Sequence, residues 1–110
     1  MAILAFFNCQ NMTRNQYEQA KKEVAWDKNR PHGMILHASY FDAGGVLRVV
    51  DLWDSEKDLK AFFDSRLGPW FAAKGLTLPK GEIFPLHNAN VSETISRFVS
   101  KGTLPGEKVA

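Results

Sequence analysis

Residues 34–53, MILHASYFDAGGVLRVVDLW, decide the fold. Two apolar runs, Met34 to Phe41 and Val46 to Trp53, flank Asp42, Ala43, Gly44 and Gly45, and this pattern predicts two antiparallel strands joined by a short hairpin. If Ala43, Gly44 and Gly45 form a three-residue loop with Gly in the left-handed position, the register follows. Leu36 then faces Leu52 and Ala38 faces Val50 on one side of the ribbon. On the other side His37 faces Asp51, Ser39 faces Val49 and Ile35 faces Trp53, while Tyr40 lies opposite Arg48. A slip of one residue would mix the two sets.

Working toward the N-terminus, Asn29, Arg30, Pro31 and Gly33 mark the end of a helix. Its start is signalled by Thr13 with Gln16 three residues on, a capping box, and by Met12 and Tyr17 in the positions of a hydrophobic staple. Tyr17, Ala20 and Val24 share one face, leaving Arg14, Glu18, Lys21, Lys22 and Glu23 for water. Before it, Ile3 to Cys9 is a short apolar run bounded by Gln10 and Asn11, as expected of a buried strand.

Toward the C-terminus, Ser55 caps a second helix with Glu56 and Asp58 in its first turn, where negative charge is favoured. Leu59, Phe62, Phe63 and Leu67 recur at helical spacing and are expected to face the core. Gly68 and Pro69 are expected to interrupt this helix, with Trp70, Phe71 and Ala73 in a further helical piece closed by Gly75. Pro79 and Gly81 lead into a last strand, Glu82 to His87. Residues 89–110 read as a tail in which Asn90 caps a weakly amphipathic segment bearing Val91, Ile95, Phe98 and Val99, before Gly102, Pro105 and Gly106.

The order β-α-β-β-α-β predicts an α+β, ferredoxin-like domain over residues 1–88, with two helices on one face of a four-stranded antiparallel sheet. The strands are apolar on both sides, and no further helix before residue 88 can shelter the second face. The sheet of a second copy is the economical cover, so a homodimer is expected, with the tail packed on the partner. Eight Phe and three Trp in 110 residues add apolar area that a small monomer hides poorly.

Charge excludes some functions. Fourteen basic and twelve acidic side chains are dispersed without a Lys or Arg stripe, which argues against nucleic acid as a partner. The glycines of the hairpin precede no helix, so no phosphate-cradling loop is present, and no serine-elbow motif appears. The single cysteine, Cys9, excludes an intrachain disulfide and reads as a small buried hydrophobe in a reducing, cytoplasmic setting. MAILAFF at the start lacks basic residues and is too short for a membrane span; it reads as a strand. Three histidines without ligand-pair spacing give no metal site, and no cofactor is expected.

The hairpin supplies the candidate chemistry. Across the ribbon His37 and Asp51 are close enough for a hydrogen bond that orients the imidazole, making His37 a candidate general base and Asp51 its orienting partner. The competing reading is that the two merely satisfy each other in the dimer interface. Asn8 on the first strand is a candidate polar anchor for a bound carbonyl or superoxide, or else ends the ladder. Trp53, Phe62, Phe63, Trp70 and Phe71 are candidate walls of an aromatic site between the second helix and the sheet, with Trp70 a candidate lid; plain core is the alternative. His87 is placed at the pocket rim or merely at the strand end, His32 in an exposed turn, and Arg48, with Tyr40 opposite, beside an anionic ligand or an acidic partner residue.

The stretch LRVVDLWDSEKDLKAFFDSRLGPWFAAKGL (47–76), with PLHN (85–88) closing the last strand, resembles the dimeric α+β barrel proteins, and among them small relatives of the antibiotic-biosynthesis monooxygenases. The resemblance spans roughly residues 2–88 and is anchored on the strand ending in Trp53 and the Asp54, Ser55 cap that follows. It implies several activities, cofactor-free oxygenation of quinols and phenols among them. Haem-degrading relatives use an Asn on the first strand with a Trp and a His on the second helix. Here Asn8 fits, but Phe62 and Lys74 stand at the helical positions, which disfavours haem. Two functions are therefore expected: a cofactor-independent monooxygenase acting on a small aromatic quinol or phenol, or a non-catalytic dimer that captures a small apolar molecule.

Overall fold

The computed structural model describes residues 1–100. Its elements run β1 (Ile3–Cys9), α1 (Arg14–Val24), β2 (Met34–Phe41), β3 (Leu47–Trp53), α2 (Glu56–Phe62), a π-helical turn (Phe63–Leu67), α3 (Gly68–Ala73) and β4 (Gly81–Pro85). The sheet is antiparallel in the order β2-β3-β1-β4, the ferredoxin-like arrangement that the sequence predicts.

Alternation along the strands separates the two faces. Ile3, Ala5, Phe7 and Cys9 of β1 and Leu47, Val49, Asp51 and Trp53 of β3 are buried beneath the helices. They form one core with Met12, Ala20 and Val24 from α1 and its approach, Trp26, and Leu59, Phe62 and Phe71 from the second helical segment. The opposite face carries Leu4, Phe6, Leu36, Ala38, Tyr40, Val50 and Phe84, and no element of the described chain lies over it. Phe84 is 51% exposed and Tyr40 53%.

The hairpin closes as expected. Asp42 N–H donates to Val46 O and Gly45 N–H to Asp42 O, each at 2.9 Å, with Gly45 at φ 82°, a conformation glycine adopts without strain. His37 faces Asp51, Ser39 faces Val49 and Tyr40 faces Arg48. The pairing of Ile35 with Trp53 is corrected: Met34 lies opposite Trp53, because an irregularity between Met34 and Leu36 takes up one residue.

The Thr13 capping box forms in full, since Gln16 N–H donates to Thr13 Oγ1 at 3.1 Å and Thr13 N–H to Gln16 Oε1 at 2.9 Å. The helix ends sooner than the turn residues suggest. Ala25 takes the left-handed conformation at φ 61°, its N–H caps Lys21 O, and Trp26 turns into the core. Gly68 and Pro69 also do not interrupt the second helix. A proline cannot donate to the carbonyl four residues back, and here the backbone widens into a π-turn before it, with Gly68 N–H bonded to Phe63 O. The last strand is Gly81–Pro85 and leaves His87 exposed beyond its end. In the tail Ser92, not Asn90, caps a single 3₁₀ turn, Glu93–Arg97, and Phe98 stays exposed. Gly102, Pro105 and Gly106 lie outside the described residues.

Candidate functional site

Asp51 is the one charged residue buried among the described residues, at 4% exposure, and a carboxylate so placed needs partners. It has two. Across the hairpin His37 Nδ1 lies 2.7 Å from Oδ1, and two residues along the same strand Trp53 Nε1–H donates to Oδ2 at 3.2 Å. A carboxylate only accepts, so it places the imidazole proton on Nδ1 and leaves Nε2 as an acceptor.

That acceptor is used. Tyr17, projecting from the first turns of α1, brings its hydroxyl to 2.9 Å from His37 Nε2, and Ser39 Oγ donates to the same phenolic oxygen at 2.9 Å. Trp53, Asp51, His37, Tyr17 and Ser39 thus form one hydrogen-bonded series running from the core to an exposed serine. The Trp26 ring lies 5.3 Å from His37 and 5.7 Å from Tyr17 and shields both. Burial pushes the Tyr17 hydroxyl up to about 12; the Ser39 hydrogen bond works against this shift, and Asp27, Glu18 and Asp51 add to it. The Cys9 thiol is pushed up to about 11, by burial first and then by the Asp51 charge. It is protonated near neutral pH and a poor nucleophile.

The series borders a cavity of about 60 Å³ between the helices and the sheet. His37, Tyr17 and Asp51 are its polar lining; Phe7, Met12, Trp26, Phe62, Phe63 and Phe71 are among the apolar wall. A benzene-sized guest occupies roughly 150 Å³. An aromatic ligand therefore enters only when wall side chains swing aside, and Phe63 and Leu67, both in the wall, sit on the π-turn.

Of the residues singled out in the sequence, the structure gathers His37, Asp51, Phe62 and Phe63 at this cavity. The dyad faces the helices, not the uncovered face, so it is not part of an interface formed there. Trp53 is 0% exposed and stands behind Asp51, outside the wall. Trp70 is not a lid: its indole N–H donates to Glu23 on α1 at 3.0 Å, and Lys74 lies 5.7 Å from its ring, on the outer surface. Asn8, Tyr40 and Arg48 project from the opposite face of the sheet and cannot reach His37, because each is offset by one residue from a helix-facing neighbour. There Arg48 donates to Asn8 Oδ1 and makes a forked pair with Asp42 at 3.1 and 2.9 Å. His87 lines no part of the cavity. Tyr17 and Trp26 were not singled out as site residues. A tyrosine on the apolar face of α1 reads as core, and only the docking of that helix over β2 brings it to the histidine.

Among the described residues no cluster of three or more His, Cys, Asp or Glu could hold a metal, and no helix is long and apolar enough to cross a membrane. Neither a family model nor a curated protein sequence matches the chain. Solved structures do match in fold. A cofactor-independent oxygenase from Streptomyces nogalater superposes with a TM-score of 0.57 at 11% identity, over 80% of this chain and 94% of that one. Proteins provisionally assigned as antibiotic biosynthesis monooxygenases, from Deinococcus radiodurans (TM-score 0.55, 17% identity, 84% and 99% covered) and Chloroflexus aurantiacus (0.57, 12%, 84% and 100%), are similar. The fold is that of the antibiotic-biosynthesis monooxygenase-like proteins, the relation that residues 47–76 suggest.

Proposed function

We propose that the protein is a cofactor-independent monooxygenase of small aromatic substrates, quinols or phenols, with His37 as general base and Asp51 as the group that orients it and steadies its imidazolium. One observation carries this reading: a buried carboxylate holds a histidine, by a 2.7 Å hydrogen bond, at the edge of an otherwise apolar cavity. Desolvation there strengthens the attraction between imidazolium and carboxylate. The proton removed from the substrate thus gains a stable site, and the substrate anion left behind is electron-rich enough to reduce dioxygen directly. The protein supplies proton transfer, orientation and exclusion of water, and the substrate supplies the electrons. General-base catalysis of this kind contributes about 10²- to 10⁴-fold.

The reading includes a homodimer. The uncovered face presents Phe6, Val50, Tyr40 and Phe84, and a second copy's sheet buries them, with exposed Phe98 of the tail against the partner. A second function, capture of a small apolar molecule without turnover, draws on the mostly apolar wall and the modest volume of the cavity.

Oxygen uptake with a panel of quinols and phenols tests the assignment. Wild type should consume oxygen faster than the uncatalysed reaction, and His37→Ala should lose about a hundredfold or more. Equal rates for the two proteins would overturn it.

A further inference from the structure

We propose that Tyr17 is a second catalytic residue: its phenolic oxygen receives the proton of a substrate hydroxyl while its own proton passes to His37 Nε2, so the site selects small aromatic molecules that carry an acidic hydroxyl. The proposal rests on the reading of His37 and Asp51 as a base.

Both imidazole nitrogens are engaged. Nδ1 is held by Asp51 at 2.7 Å and Nε2 by the Tyr17 hydroxyl at 2.9 Å. A ligand in the cavity therefore meets the histidine lone pair only by displacing Tyr17, whose ring is fixed by Trp26 on one side and by Phe41, edge-on at 6.4 Å, on another. The tyrosine oxygen is the accessible atom. It donates to His37 and accepts from Ser39, which leaves one further acceptor direction for a substrate O–H.

The transfer balances without change of oxidation state. The substrate O–H bond breaks as an O–H bond forms on Tyr17, and the original Tyr17 O–H breaks as N–H forms on His37. The products are a substrate anion, an unchanged tyrosine and an imidazolium facing the Asp51 carboxylate. A tyrosine pushed up to about 12 does not act by resting as a phenolate, which is why the two protons must move together. Ser39, exposed at the other end, links the tyrosine to solvent and offers the imidazolium a way to discharge. The charged groups acting on Tyr17 are Asp27, Glu18 and Asp51, all negative, so none of them favours a resident tyrosinate. A hydrocarbon or ether of the same shape would bind the wall but find no proton path.

Para-nitrophenol, whose ionisation is visible in its absorbance, tests this without knowledge of the natural substrate. Bound to wild type, its ionisation midpoint should fall by about one pH unit. In Tyr17→Phe, which keeps the ring packing, and in His37→Ala, the midpoint should return to the free-solution value. If Tyr17→Phe lowers the midpoint as wild type does while His37→Ala does not, the ligand meets His37 directly; the proposal is then wrong and the base assignment stands. If His37→Ala also lowers it, the base assignment itself fails, and no shift in wild type overturns both.

Discussion

Trp53 Nε1–H donates to Asp51 Oδ2 from a side chain that has no exposure to solvent, so the largest buried ring of the core also holds the buried carboxylate. Trp53→Phe removes that donor and part of the packed volume together. It should cost about 2 kcal/mol of stability, read from urea unfolding. A loss below about 0.5 kcal/mol would show that the indole N–H and its volume are dispensable.

Gly68 reverses an ordinary rule. Gly to Ala inside a helix usually stabilises by about 1 kcal/mol. Here a Cβ would lie 2.7 Å from the carbonyl oxygen of Phe63, a backbone atom fixed by the π-turn. Gly68→Ala should lower the melting temperature by several degrees, the equivalent of about 1–3 kcal/mol, and a rise would contradict the geometry of the turn.

Thr13→Ala should cost about 1 kcal/mol by removing the capping box of α1. Because Tyr17 belongs to the first turns of that helix, hydrogen exchange of its backbone should quicken more than exchange in β3. Equal effects on both elements would detach the cap from the site.

Alkali should unfold the protein in a window set by two groups. Tyr17 is raised from 10.0 to about 12 and Cys9 from 9.0 to about 11, so the native state holds protons that the unfolded chain releases. The stabilisation is complete below the unfolded values and is lost as pH rises through the folded ones, between about 9 and 12. Tyr17→Phe should flatten the upper part of this fall in pH-dependent urea unfolding, and an unchanged slope would refute it.

Val50 lies at the centre of the uncovered face, opposite Phe6 on β1 and Ala38 on β2. Val50→Asp should raise the dimer dissociation constant at least about a hundredfold, with single chains seen by light scattering and circular dichroism unchanged. A dimer as tight as wild type would place the interface elsewhere.

The hairpin register was readable because Ala43, Gly44 and Gly45 dictate one turn, and that turn alone sets His37 opposite Asp51. The side of the sheet on which Asn8 lies was not, since β1 joins β3 through no tight turn and its parity is decided by long-range pairing. Tyr17 shows a second limit. Its staple position announces where α1 starts, but its contact with a histidine twenty residues away depends on how the helix docks. At Pro69 local propensity was overridden, because packing of Phe71 into the core outweighs the hydrogen bond that a proline cannot make.

The π-turn counts as one surplus residue threaded into an otherwise regular rod. Excising any single position from 63–67 would let the rod rewind, turning everything past the cut by about 100°. Phe71 would swing away from the sheet and Pro79 would arrive at the margin out of phase. The length of this short segment is thereby under tighter constraint than most of its side chains, and single-residue deletions should be tolerated least where the helix is widest.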